Sequence, residues 1–222
     1  NRIDGQPMFK ILERAQELER LGKRVIHFEL GEPDFDTPEH ISDAAMDALY
    51  NGDTHYAPSS GLHDFKKAVI ETTSLSRGFE PSLDQVLVAP GANSIIYLAM
   101  KCILDPGDEV FIPDPGFPTY TSAANACAAS IVPVKLETEN KFKWSFADLE
   151  SKISPKTKLI ILNSPSNPTG AVLEQEEIEQ VYKLCKKHDL FLMSDEVYAR
   201  MIFNDTKFSS PSRFDHCKER TV

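Results

Sequence analysis

The sequence predicts an α/β fold, a three-layer sandwich built around a mostly parallel β-sheet. Short apolar runs typical of buried strands alternate with stretches in which apolar residues recur at helical spacing. The clearest case is the pair of apolar runs at Thr157–Leu162 and Leu190–Met193, which a helical pattern from Glu174 to Lys187 separates. Two strands joined by a helix run parallel, so this segment predicts a βαβ unit.

The first third of the chain predicts helices separated by irregular loops. Apolar residues recur at helical spacing from Phe9 to Leu18 and Gly22 follows, which predicts a helix at residues 7–21. The run Val25–Phe28 predicts a strand, and the Gly and Pro residues that follow it predict a loop. Two more helices are expected at residues 39–49 and 62–73, on either side of a turn-rich segment.

From residue 85 onward, strands and helices alternate regularly. Apolar runs predict strands at residues 85–88, 109–112 and 130–134, and helical spacing predicts helices at residues 94–104, 119–126 and 145–152. Such alternation predicts helices on both faces of one sheet. The chain has 222 residues, of which 41% are hydrophobic, so it can bury a core of this kind.

Composition argues against several classes of partner. The net charge is −10 and no block of Lys or Arg occurs, which disfavours nucleic-acid binding. The apolar runs are too short to span a bilayer and the N-terminus lacks an apolar signal core, so we expect no membrane partner and a cytoplasmic protein. The widely separated cysteines and histidines predict reduced thiols and no metal site.

Polar residues follow two of the predicted strands. Asn167 lies in the loop after Thr157–Leu162, and Asp195 follows the run that ends at Met193. Ligands of parallel sheets collect at the carboxyl ends of strands, so we expect both residues in one pocket. Asn167 could instead organise an Asx-turn, and Asp195 could pair with an arginine or with a protonated cofactor ring. Tyr198 could face the same pocket or pack in the core.

Two further loops have weaker signals. The N–H groups of Gly91, Ala92 and Asn93 open a predicted helix and could bind an anion, although Asn93 could simply cap that helix. Phe117 lies between Gly and Pro and could present its ring to a cleft or pack in the core.

Five segments in order resemble the large domain of the class I/II aminotransferases, fold-type-I enzymes that use pyridoxal 5′-phosphate. Each segment alone is weak, but their shared order makes the resemblance specific, and it extends over essentially the whole chain. The segments are Leu30–Pro38, Tyr56–Leu62, Leu104–Val110, Asn163–Ala171 and Ser194–Tyr198.

The resemblance implies a role for each matching residue around the cofactor ring. Asp195 would pair with the pyridine nitrogen and keep it protonated. Tyr198 and Asn167 would hydrogen-bond the ring hydroxyl oxygen, and the three residues give the catalytic set. Phe117 would stack on the ring, where many relatives have Trp.

The resemblance also implies contacts at the phosphate, the substrate and a second subunit. Gly91, Ala92 and Asn93 would hold the phosphate, while Gly31 and Asn167 would face the substrate carboxylate. Tyr56 matches a residue that reaches the phosphate bound by the neighbouring subunit, which implies a homodimer with shared sites.

The family's covalent lysine has no match here. After Tyr198 the lysines are Lys207 and Lys218, whose polar surroundings suit exposed loops rather than a desolvated site. The resemblance therefore predicts a fragment, with an N-terminal arm at residues 1–40 that packs with a missing small domain and an incomplete cofactor-binding domain at residues 41–222.

Three functions remain open at this point. The first is amino transfer between an L-amino acid and a 2-oxo acid. The second is a carbon–sulfur β-lyase on the same fold, which needs the same electron sink. The third is a catalytically incomplete cofactor-binding fragment.

Overall fold

The computed structural model describes residues 7–222, and these form two compact units that divide between Leu62 and His63. The first unit contains the helices α1 (Pro7–Arg20) and α2 (Glu39–Tyr50), as predicted. The prediction of a strand at Val25–Phe28 is wrong, since the segment is irregular. A strand needs a pairing partner, and the described part of this unit has only helices and loops. The first six residues of the predicted arm lie outside the described residues, and the domain boundary at residue 40 stays a prediction.

The second unit is an α/β structure in which helices and strands alternate. Its helices up to the sheet are α3 (His63–Arg77) and α4 (Gly91–Ile103), with a short 3₁₀ turn at Leu83–Gln85 between them. The elements that follow are β1 (Glu109–Asp114), α5 (Pro118–Ala126), β2 (Ser130–Lys135), a 3₁₀ turn at Thr138–Asn140, α6 (Phe146–Ser151), β3 (Thr157–Asn163), α7 (Gln175–His188), β4 (Phe191–Asp195) and α8 (Ser212–Asp215).

The four strands form a parallel sheet in the order β2-β1-β3-β4. The chain then returns to the β4 edge, where Thr221 pairs with Leu192 in parallel. The Ser194 N–H donates to the Val222 carbonyl at 2.8 Å, and the Val222 N–H donates to the Leu192 carbonyl at 2.9 Å. These last residues therefore extend the sheet beyond β4.

Alternating strand residues bury both faces of the sheet. Phe111, Ile160 and Leu192 pack with residues of α6 and α7 and with Trp144, which precedes α6. Their neighbours Val110, Leu159 and Met193 pack with residues of α4 and α5 on the opposite face. The predicted three-layer arrangement around a parallel sheet is confirmed.

The strand predicted at residues 85–88 is wrong. Gln85 ends the 3₁₀ turn, and its side-chain amide donates to the carbonyls of His216 at 2.8 Å and Cys217 at 3.1 Å. Val86 is extended and buried, but no strand of the described chain pairs with it. An apolar run forms a strand only where tertiary contacts supply a neighbour.

No helix within residues 7–222 has both the length and the apolar character that crossing a bilayer requires.

Candidate functional site

A cavity of about 270 Å³ lies at the carboxyl ends of the strands. From β1 the chain crosses to β2 on one side and then to β3 on the other, so the topology reverses between β1 and β3. Ligands bind at such switch points in open parallel sheets. Seven residues that the sequence singles out line the cavity together: Gly91, Ala92, Asn93, Phe117, Asn167, Asp195 and Tyr198.

Asp195 is the last residue of β4, and its carboxylate faces the cavity. The Tyr120 hydroxyl donates to Asp195 Oδ2 at 2.6 Å, and the Val197 N–H donates to Oδ1 at 3.2 Å. No lysine or arginine of the described residues forms an ion pair with Asp195, and none lines the cavity. A half-buried carboxylate without a cation of its own suits a positively charged ligand group, so the arginine alternative is not realised within residues 7–222.

Tyr120 is a site residue that the sequence did not reveal. It lies almost completely buried in α5, three positions after Phe117, and the two rings meet edge to face with centroids 5.7 Å apart. Burial, followed by the charge of Asp195, raises the pKa of Tyr120 well above its usual range. The hydroxyl therefore stays protonated and remains a donor to Asp195. The helical spacing from Phe117 was the one signal that could have identified it.

Asn163 is the second residue that the sequence did not single out. It is buried at the end of β3, and its Oδ1 accepts the Asn167 N–H at 2.7 Å. Its Nδ2 donates to the carbonyls of Pro165 at 3.2 Å and Asp195 at 3.1 Å. Asn163 thus connects the ends of β3 and β4 and fixes the loop that carries Asn167.

The Asn167 side chain is left available by this arrangement. The turn-organising role considered for Asn167 belongs to Asn163, and the Asn167 amide makes no side-chain hydrogen bond with other residues of the described chain. Tyr198 lines the same cavity, so the core-packing alternative for its side chain is not what the fold adopts. An amide and a phenol here can bind ligand oxygens.

The N-terminus of α4 forms another wall of the cavity. The helix starts at Gly91, earlier than the predicted Ser94, and no side chain of the described residues caps it. Asn93 is not the cap: its Oδ1 accepts the Thr119 hydroxyl at 3.1 Å. Gly91 has φ +75°, a left-handed conformation that residues with a Cβ rarely adopt. The first N–H groups of a helix lack internal partners and attract anions, so this end fits a phosphate.

Other predicted residues lie elsewhere. Gly31 and Tyr56 belong to the first unit, and their roles stay predictions. Lys207 and Lys218 are exposed and do not line the cavity, as their polar surroundings predicted. Glu196, directly after Asp195, does not line the cavity and pairs with Arg77 at 2.7 Å.

Residues 23–220 match the family described as aminotransferase class I and II. A probable aspartate/prephenate aminotransferase of Aquifex aeolicus is 39% identical over 94% of this chain and 53% of its own length. An arginine–pyruvate transaminase of Pseudomonas aeruginosa is 37% identical over 99% of this chain and 56% of its own. The solved structure of the aspartate aminotransferase of Thermus thermophilus with maleate matches with a TM-score of 0.94 at 33% identity. This match covers 99% of the present chain and 56% of the Thermus chain. The chain thus spans just over half the length of these relatives.

Proposed function

Because the chain belongs to the class I and II aminotransferase family, we propose that it forms the cofactor-binding part of an enzyme that transfers an amino group between an L-amino acid and a 2-oxo acid. The observation that carries this proposal is the Asp195 carboxylate, which faces a cavity whose lining has no cation among the described residues. A protonated pyridine nitrogen is the complement of such a group.

The residues around the cavity fit pyridoxal 5′-phosphate in charge and in chemistry. When bound, this cofactor supplies a protonated ring that accepts the electrons released from the substrate's α-carbon. Asp195 would hold the proton on the ring nitrogen, and the N–H groups of Gly91, Ala92 and Asn93 would bind the phosphate at the positive end of α4. Phe117 would cover one ring face.

The remaining polar groups would orient the ring and the substrate. Tyr198 and Asn167 would donate to the ring hydroxyl oxygen, and Asn167 with Gly31 would face the substrate carboxylate. Tyr120 would keep the Asp195 carboxylate in place, since its hydroxyl already donates at 2.6 Å. We assign no covalent role to Lys207 or Lys218, because both are exposed.

The substrates and the assembly are also proposals. One relative is named for aspartate and prephenate and another for arginine and pyruvate, so the family name supports an amino acid and a 2-oxo acid without fixing either. We propose a cytoplasmic homodimer in which Tyr56 reaches the phosphate bound by the neighbouring subunit, and an arm at residues 1–40 that packs with a small domain.

The test uses the natural-length protein with pyridoxal 5′-phosphate, assayed for amino transfer from a set of L-amino acids to 2-oxoglutarate. We expect stoichiometric cofactor uptake and measurable turnover. Asp195→Asn should lower the turnover by roughly two or more orders of magnitude, comparable to losing a preorganised electrostatic group.

Asp148→Asn is the matched control, because Asp148 on α6 pairs with Lys152 just after that helix and does not line the cavity. This variant should keep its turnover. Absence of cofactor uptake, or near-native turnover in Asp195→Asn, contradicts the proposal.

A further inference from the structure

Two consecutive carboxylates lie at the end of β4, Asp195 as its last residue and Glu196 directly after it, and they line different cavities. Asp195 lines the cavity of the proposed site, whereas Ser194 and Glu196 line a separate cavity of about 370 Å³. Val197 contributes to both cavities, so a single stretch of backbone separates them. Glu196 and Asp195 are thus joined by one peptide unit while their side chains lie in different cavities.

The Glu196 carboxylate is fully hydrogen-bonded. Its Oε2 accepts from Arg77 Nε at 2.8 Å and pairs with Arg77 Nη2 at 2.7 Å. Its Oε1 accepts the Ser194 hydroxyl at 3.0 Å and the Ser210 hydroxyl at 2.5 Å. These partners come from α3, from β4 and from the loop before α8, so three separate segments hold one side chain.

Arg77 is also held in place. It is the last residue of α3, and its guanidinium carbon lies 4.5 Å from the centre of the Phe208 ring. The side chains of Arg77 and Glu196 are only 18% and 17% exposed. A largely buried, charge-assisted ion pair of this kind fixes the positions of its two side chains far better than an exposed pair does.

We propose that Arg77 and Glu196 form a positioning pair for Asp195. The pair anchors the residue after Asp195 and balances the charge of Glu196, and Asp195 is the one carboxylate among the described residues lining the cavity. The inference rests on the proposed function, because the consequence of positioning Asp195 is read out on the bound cofactor.

The backbone around Asp195 supports this role. The Asn163 Nδ2 donates to the Asp195 carbonyl at 3.1 Å. The Glu196 carbonyl accepts the Ala199 N–H at 2.9 Å. The anchored segment also carries Tyr198, which lines the same cavity. Without Arg77 the largely buried Glu196 carboxylate needs other hydrogen-bond donors, and the turn that follows Glu196 must move to supply them.

The test measures the protonation of the ring nitrogen rather than activity. The natural-length protein is loaded with pyridoxal 5′-phosphate labelled with ¹⁵N in the ring, and the ¹⁵N chemical shift is followed against pH. In Arg77→Met and Glu196→Gln we expect the ring-nitrogen titration midpoint to fall by about one pH unit, a tenfold change in the protonation equilibrium. Arg77→Lys keeps the charge and should retain most of the native midpoint, and the isosteric Glu196→Gln carries the test if Arg77→Met does not fold.

Two further variants separate the possible outcomes. Glu177→Gln is the matched control, since Glu177 is 14% exposed and pairs with Lys143 at 3.2 Å without lining the cavity, and its midpoint should stay native. A native midpoint in both Arg77→Met and Glu196→Gln, with a lowered one in Asp195→Asn, overturns the positioning role alone. No cofactor uptake, or a native midpoint in Asp195→Asn, overturns the proposed function together with this inference. An equal shift in Glu177→Gln overturns the specific role of the pair.

Discussion

Removing the Tyr120 hydroxyl tests whether Asp195 is held by its neighbours as the structure indicates. Tyr120→Phe keeps the ring, which is 1% exposed, and deletes the donor that lies 2.6 Å from Asp195 Oδ2. The Asp195 carboxylate then keeps the Val197 N–H as its donor among the hydrogen bonds of the described chain.

The size of the effect follows from the contact. A hydrogen bond to a charged group contributes about 1.5–3 kcal/mol. Asp195 is half-buried beside an open cavity, so water can replace part of the lost bond, and we expect the free energy of unfolding to fall by about 1.5–2 kcal/mol.

The pH dependence has a defined sign. Because the pKa of Tyr120 is raised on folding, the folded protein retains a proton that the unfolded chain loses above about pH 10. The stabilisation that Tyr120 contributes through its raised pKa is therefore present below about pH 10 and is lost as the pH rises further. Phenylalanine does not titrate, so the stability difference between native protein and Tyr120→Phe should narrow by up to about 1.4 kcal/mol per pH unit above about pH 10.

Urea unfolding near pH 8 and near pH 11 measures both effects. Tyr182→Phe is the matched control: Tyr182 is also buried and stacks on Phe214 at 5.1 Å, and its hydroxyl forms no hydrogen bond within the described chain. Near pH 8 it should change the free energy of unfolding by less than about 0.5 kcal/mol. Because burial also raises the pKa of Tyr182, the two substitutions are compared at this pH. Equal effects of the two substitutions near pH 8, or a stability difference between native protein and Tyr120→Phe that widens at alkaline pH, would refute the reasoning about Asp195.

Gly116→Ala and Asp215→Ala test how two loops are fixed, and Gly31→Ala is the control for the first. Gly116→Ala places a Cβ only 2.2 Å from the Pro113 carbonyl oxygen, so it should destabilise by about 2 kcal/mol or more in urea unfolding. Gly31→Ala meets no atom within 4 Å and should leave stability unchanged; similar losses in both would contradict the clash. Asp215→Ala removes a carboxylate that accepts two hydrogen bonds from Thr221, from its N–H at 3.1 Å and from its hydroxyl at 3.0 Å. It should lower the free energy of unfolding by about 3 kcal/mol. Hydrogen exchange at the Thr221 amide should speed up, and unchanged protection would argue against this anchor.

The sequence predicted the elements that periodicity specifies. β3 and β4 are buried on both faces and therefore appear as continuous apolar runs. The segments at Val25–Phe28 and residues 85–88 have similar composition but no partner strand in the described chain, and pairing depends on contacts that are distant in sequence.

The site was predicted where residues follow strand ends and missed where roles depend on packing. Asn167 and Asp195 follow apolar runs, so their meeting could be expected. Tyr120 and Asn163 act by contacting Asp195 from other elements, and neither contact has a local signature. Arg77 lies 119 residues before Glu196, so its pairing could not be inferred from spacing.

A crystal structure of the natural-length protein with pyridoxal 5′-phosphate tests the central claim most directly. We predict the pyridine nitrogen within hydrogen-bond distance of the Asp195 carboxylate, about 2.6–3.2 Å. The phosphate should lie on the N–H groups of Gly91, Ala92 and Asn93. A cofactor bound outside this cavity, or a ring nitrogen with no contact to Asp195, would contradict the account.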